Sequence, residues 1–350
     1  MYGGRKELKT NELGLNTDKL NTNKLNRSKL NIKKITNKYM LEIILLAIVI
    51  IMTFTSRGFF TTANLLNILR NMSLQGVIAF GMTMVIIAGE IDLSIGSTVA
   101  LSGVIIALTT GKLEKAGIMP MEQGVWIGIL LAFISAGLFG LFNGFLLTKF
   151  KMPSFIITLA MLNVLYGLAA VLSKGFPVTT LPKWYDVFGA GQVFGVIPVP
   201  AIILLAVFAI VFVVMTYTKF GRSVYAVGGN PEAARLSGIN VKFVKIVCLV
   251  VVQLCAALSG LLVSSQVMSG AFSFGRGWEM TAISSAIIGG ASLSGGIGKV
   301  WGTLVGLIIL GVINNSMTLL GVDEYVQYIV RGLLILIAVL INTIQTQKKD

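Results

Sequence analysis

Apolar runs long enough to cross a lipid bilayer recur along almost the whole chain, and this constrains its fold more than any other feature. A helix needs about 20 apolar residues to span the hydrocarbon core. Ten runs of that kind are read here, at 39–55, 65–89, 93–109, 123–148, 154–172, 199–218, 243–265, 281–293, 300–320 and 325–344. Lipid offers backbone N–H and C=O groups no partner, so such runs must satisfy their hydrogen bonds internally, as helices. The expected fold class is therefore an all-α polytopic membrane protein of about ten transmembrane helices, with one further short helix in a cytoplasmic loop. Charged residues are only 12% of the chain and hydrophobic residues 55%, against about 25% charged in an ordinary soluble domain. The 350 residues thus form one membrane domain, 39–346, behind a polar N-terminal segment.

That segment, 1–38, carries pentads: LNTDK, LNTNK, LNRSK, LNIKK and a degenerate ITNKY. A period of five matches neither 3.6 nor 3.5, so its leucines spiral round a helix instead of lining one face. The reading is a disordered basic cytoplasmic tail. A sharper alternative is contact with anionic lipid, where each Lys or Arg adds about 1 kcal/mol. The segment is too long and too basic for the n-region of a signal peptide. With the N-terminus inside, residues 1–38, 149–153, 219–242, 294–299 and 345–350 hold 19 of the 28 Lys and Arg. The opposite loops hold six: Arg57, Lys112, Lys115, Lys174, Lys183 and Arg276. Basic residues concentrate on cytoplasmic loops, so both termini are expected in the cytoplasm. The formal charge of +14 is largely this asymmetry and requires no nucleic-acid partner.

The segment 220–240, FGRSVYAVGGNPEAARLSGIN, is far longer than the 4–6 residues of most connections. It reads as a polar loop holding one short helix. Asn230 suits the N-cap and Pro231 the first helical position. Glu232 lies at the positive end of the helix dipole, with Arg235 three residues on. Gly238 suits the left-handed position that ends it. A helix of about 10 Å cannot cross a membrane, so it is expected to present a compact knob to a partner. The bland reading is a basic loop that only sets orientation.

Few polar groups are available for chemistry inside the membrane. Glu90 and Asp92, in GEIDLS at 89–94, are read either as a turn and helix cap or as lining of a hydrophilic path, since intramembrane charges are costly. Two carboxylates two residues apart do not face each other, so no acid–base pair is formed. Arg70 and Arg331 are read as helix clamps or snorkelling cations. Gln75, Asn163, Gln253, Asn314, Asn315 and Gln327 are the main intramembrane amides; Asn314, Asn315 and Gln327 are candidates for the path of an uncharged polyol. There is no histidine, which removes His-based zinc sites, Ser–His nucleophiles and His relays. Cys248 and Cys255 share one helical run on the order of 10 Å apart, too far for a disulfide. GGASLSGGIGK at 289–299 is not a Walker loop: Leu293 stands where the first glycine belongs and Val300 replaces the hydroxyl. Its small residues fit close helix packing and a bend.

From about residue 39 onward the chain resembles the permease subunits of bacterial ABC importers for monosaccharides, the ribose-permease family. The likeness lies in GMTMVIIAGEIDLSIGSTVALSG (81–103), FGRSVYAVGGNPEAARLSGIN (220–240), GWEMTAISSAIIGGASLSGGIGKVWGTLVG (277–306) and LGVDEYVQYIVRGLLILIAV (320–339); the pentad tail is outside the family pattern. The resemblance implies a ten-helix permease of a bacterial cytoplasmic membrane. It would work as a dimer, with a separate ATPase that binds ATP and Mg and with an extracytoplasmic sugar-binding protein, and would bind no cofactor itself. The family's coupling loop matches 220–240, which assigns ATPase contact to Asn230, Glu232, Ala233, Ala234, Arg235, Leu236, Ser237 and Gly238. The alternatives are a stand-alone carrier using Glu90 and Asp92 as a proton or cation site, and a related permease for a nucleoside or other small polar solute. An intramembrane enzyme has no visible catalytic group. Which sugar is carried is not legible in these residues.

Overall fold

The computed structural model describes residues 39–347. The pentad segment lies outside the described residues, and so does the side chain of Arg331. The chain divides into two compact units, 1–47 and 48–350; the described part of the first, 39–47, begins helix α1 (Met40–Thr55). The second unit is helical almost throughout. Its first four helices are α2 (Thr62–Ile87), α3 (Ile95–Lys115), α4 (Met121–Lys149) and α5 (Ser154–Ser173). A 3-10 turn (Lys183–Phe188) and a small antiparallel hairpin, β1 (Gln192–Val193) and β2 (Ile197–Pro198), lead into α6 (Val199–Tyr217). Two short helices follow, α7 (Lys219–Gly229) and α8 (Pro231–Leu236). The chain ends with α9 (Val241–Val267), α10 (Trp278–Ile288), α11 (Val300–Leu319) and α12 (Glu324–Gln347).

Among the described residues seven helices are long and apolar enough to cross a membrane: α2 to α6, α9 and α11. The protein is a multi-pass, all-α membrane protein. Each of the ten expected runs coincides with a helix. One reading needs correction: 220–240 is not a loop with one helix, because α7 occupies its first half.

The connections gather at two ends. At one, the Gly296 N–H donates to the Ile87 carbonyl at 2.8 Å, the Ile91 N–H to Ser154 Oγ at 3.2 Å, and the Tyr225 hydroxyl to the Gly298 carbonyl at 3.0 Å. At the other, Val178 and Gly270 exchange backbone hydrogen bonds of 2.8 Å. Tyr185 joins them there through a 2.8 Å bond between its hydroxyl and Ser264 Oγ.

Helices α2, α3, α9 and α11 form the interior, and α4, α5 and α6 leave most of their surface uncovered. Between helices in lipid there is no hydrophobic driving force, so association depends on close contact, which small residues permit. Helix α4 supplies them at every fourth position: Gly124, Gly128, Ala132, Ala136, Gly140 and Gly144 are all buried. A Cβ at Gly140 would approach Val250 Cα to 2.6 Å, so α9 seats directly on this stripe.

Helix α10 has only 11 residues, about 16 Å of rise and half of the ~30 Å hydrocarbon core. Residues 268–277, which lead into it, run along α3. Gly270 lies against Gly103, and Gly275 against Gly96 and Val99. Seven residues of α3 separate those contacts, roughly 10 Å. Ser269, Ala271 and Gly275 of this segment are buried, while Ser273 and Arg276 are exposed.

Candidate functional site: an end knob and an amide-lined cavity

The knob is built by local chemistry at both ends. Asn230 Oδ1 accepts from the Ala233 N–H at 3.0 Å, and Pro231 opens the helix. Gly238 adopts φ +82°. Its N–H donates to the Arg235 carbonyl and the Ile239 N–H to the Ala234 carbonyl, both at 3.0 Å; this pair of bonds is the Schellman closure. Ser237 Oγ donates to the Ala233 carbonyl at 2.9 Å. Arg235 and Glu232 pair at 3.0 Å on the exposed face, which is worth little in stability at such exposure. Leu236 is 79% exposed. Ala233 is exposed as well, but Ala234 is 4% exposed and faces inward. Ala234 therefore packs the knob onto the fold, and Ala233 and Leu236 are left exposed.

Helix α7 is the base. It buries Val224, Val227 and Gly228, and a Cβ at Gly228 would collide with the Ile87 carbonyl and with Gly296. The knob thus rests on the ends of α2 and on the turn 289–299. Glu90 belongs to this base: its carboxylate is ion-paired with Lys245 Nζ near the start of α9.

Asp92 lies two residues further on. It is fully buried, and Oδ1 accepts from the Ser94 N–H at 2.9 Å and from Ser94 Oγ at 2.6 Å, while Oδ2 accepts from Gln253 Nε2 at 2.8 Å. Thr98 Oγ1 donates to Gln253 Oε1 at 2.5 Å, and Asn143 Nδ2 to Ser94 Oγ at 3.3 Å. Burial pushes the Asp92 carboxyl up, and the bonds from Ser94 and Gln253 pull it back. Asp92 thus closes a turn and does not cap α3, whose N-cap is Ser94; the turn widens into a polar clamp that joins the 88–94 turn, α3, α4 and α9. Of its members, Ser94, Thr98 and Asn143 were not singled out by sequence reasoning. Asn143 sits between Gly140 and Gly144 on the small face of α4, the one local hint of its burial.

The remaining three path candidates do converge. A cavity of about 270 Å³ is lined by Asn67, Asn71, Gln75, Asn314, Asn315 and Gln327, together with apolar groups of α2 and α11. Asn314 and Thr281 also line an adjoining cavity of about 340 Å³ that reaches Trp278, Glu324 and Tyr328. Asn315 and Asn64 exchange amide hydrogen bonds of 2.9 and 3.0 Å across α11 and α2, so Asn315 both clamps and lines. Gln327 Nε2 donates to the Val322 carbonyl at 3.0 Å. Asn67 and Asn71 were missed by sequence reasoning; with Gln75 they fall at i, i+4 and i+8 on α2, a spacing that marks one helix face. Asn163 is exposed and is not a buried amide. Arg70 acts as a clamp: with the Gln192 amide turned so that its nitrogen faces the Gly195 carbonyl, Gln192 accepts from Arg70 Nη2 at 3.1 Å. The first cavity has no charged lining group, so its chemistry is exchange of weak hydrogen bonds with a neutral polar solute.

The membrane bundle thus carries a capped, exposed knob at one end and an amide-lined cavity. Over residues 64–339 the chain matches the model of the family described as branched-chain amino acid transport system / permease component. It is 41% identical over 296 residues to the ribose import permease protein RbsC of Bacillus subtilis strain 168, covering 84% of this chain and 89% of that protein. It is 38% identical to RbsC of Escherichia coli K12 over 301 residues, covering 84% and 90%. It is also 33% identical to the L-arabinose transport system permease protein AraH of that strain over 291 residues, covering 83% and 86%. No solved structure matches the chain. The chain belongs to this permease family and is the membrane component of a transport system.

Proposed function

We propose that this chain is the translocation subunit of an ATP-driven importer for a monosaccharide, in the cytoplasmic membrane of a bacterium with both termini inside. It takes sugar from an extracytoplasmic binding protein, works beside a second copy of itself, and couples through α8 to a separate ATPase that binds ATP and Mg. The observation that carries this reading is the uncharged, amide-lined cavity: a neutral polyol needs several weak hydrogen-bond partners that release it again. Relatives named for ribose and arabinose transport agree with it. Nucleotide-driven closure of the ATPase would act on α8, and through α7 on the ends of α2 and the 289–299 turn, elements that continue into the cavity walls. A bound nucleotide shifts such an equilibrium only by its differential interaction with the two states.

A stand-alone carrier using Glu90 and Asp92 is disfavoured, because one is ion-paired and the other saturated with donors. The test is uptake of radiolabelled D-ribose, L-arabinose, D-glucose and a nucleoside, with the ATPase subunit present and absent. Uptake of a monosaccharide that vanishes without the ATPase supports the reading. Uptake that persists without it makes the chain a carrier, and uptake confined to the nucleoside moves it to the other solute class.

A further inference from the structure

Helix α10 has 11 residues and follows directly on the irregular 268–277 segment. A third cavity, about 370 Å³, lies beside that junction against α5. Its polar lining is Asn163, Tyr166, Ser273, Arg276 and Glu279, with Phe272 adding an aromatic face. Two of these groups are anomalous. Glu279 is 7% exposed, and its Oε2 is buried with no hydrogen-bond partner; the hydroxyl of Tyr166 is likewise buried and without one. Buried polar groups are almost always satisfied, so an unsatisfied pair calls for an explanation. The backbone has been fitted around them: Gly96 of α3 sits so close that a Cβ there would collide with Glu279 Oε2 and lie 3.3 Å from the Tyr166 hydroxyl.

We propose that this cavity is a second saccharide site, in which Glu279 Oε2 accepts from one sugar hydroxyl and the Tyr166 hydroxyl bonds a neighbouring one. The inference rests on the monosaccharide reading above. The chemistry fits a polyol. A carboxylate oxygen without donors accepts strongly from hydroxyls, a phenol both donates and accepts, and an aromatic face packs the C–H side of a sugar ring. Arg276 lines both this cavity and the one that reaches Asn314, so a sugar here lies next to the amide-lined space.

The test uses the complete transporter in cells, with D-ribose, L-arabinose and D-glucose and their monodeoxy analogues as probes. Glu279→Gln keeps the shape and removes the charge; Tyr166→Phe removes one hydroxyl. Each is expected to lower the maximal uptake rate about tenfold at unchanged membrane level, the usual scale for a lost buried hydrogen bond. Tyr166→Phe should also abolish discrimination against one particular deoxy analogue. The binding protein's own preference is common to wild type and variant and cancels in that ratio, and a purely structural role would not move it. Wild-type protein that takes up none of the three sugars refutes the monosaccharide reading itself. Wild-type uptake with both variants unchanged in rate and discrimination overturns the second site alone, as does loss of both variants from the membrane, which would make the pair structural.

Discussion

Leu236→Asp separates docking from folding, because the structure assigns this side chain no part in the fold. With 79% of Leu236 exposed, the substitution is a surface change, worth within about 0.5 kcal/mol of the subunit's own stability. Docked into a groove, the leucine would contribute most of the ~1.5–3 kcal/mol gained on burying such a side chain. An aspartate there forfeits that and also loses its water without a partner, at several kcal/mol. A combined penalty of ~5 kcal/mol weakens association between about a thousandfold and ten-thousandfold at 1.4 kcal/mol per tenfold. Ala234→Asp is the counterpart: it places an unpaired charge on the inward face, where the residue is 4% exposed, and should destabilise the subunit itself. Co-purification of the ATPase, uptake of a labelled monosaccharide and thermal unfolding in detergent are measured on both variants. Leu236→Asp is expected to lose the ATPase and all uptake at an unchanged melting temperature, whereas Ala234→Asp lowers the melting temperature. If Leu236→Asp retains ATPase and uptake at wild-type levels, α8 is not the coupling element. If it melts as early as Ala234→Asp, the division of the knob into an outer and an inner face is wrong.

Gln253→Leu strips Asp92 Oδ2 and Thr98 of their shared partner inside the polar clamp and should cost ~3 kcal/mol, read as an earlier thermal transition; an unchanged transition would show the clamp to be dispensable. Asn315→Leu should lower uptake and also reduce stability by ~1 kcal/mol, because Asn64 loses its reciprocal amide bonds. Wild-type uptake by that variant would reduce Asn315 to a clamp. With the buried Cys248 and Cys255 replaced, a cysteine at Ser223 should resist an impermeant thiol reagent in intact cells while one at Lys183 reacts; the reverse pattern inverts the orientation.

What the residues determine alone is whatever depends on neighbours a few positions away. Ten apolar runs specify ten helices because a helix in lipid satisfies its own backbone. The knob is legible for the same reason, since the Asn230 cap and the Gly238 closure lie within one helical turn of the groups they satisfy. The first local failure is α7: Gly221, Gly228 and Gly229 read as a loop, yet Gly228 is what lets the helix seat on Ile87 and Gly296. Beyond that, only the tertiary structure decides. It turns Ala234 inward and Leu236 outward, a difference no local rule contains. It pairs Asp92 with Gln253, 161 residues on, and Asn64 with Asn315, 251 residues on, converting two suspected path groups into a clamp and a clamp that also lines. It brings Tyr166 and Glu279 to one cavity by running the 268–277 segment along α3, where glycine meets glycine. A burial cost is set by everything packed around a polar group, and for these residues nearly all of it comes from parts of the chain that are distant in sequence.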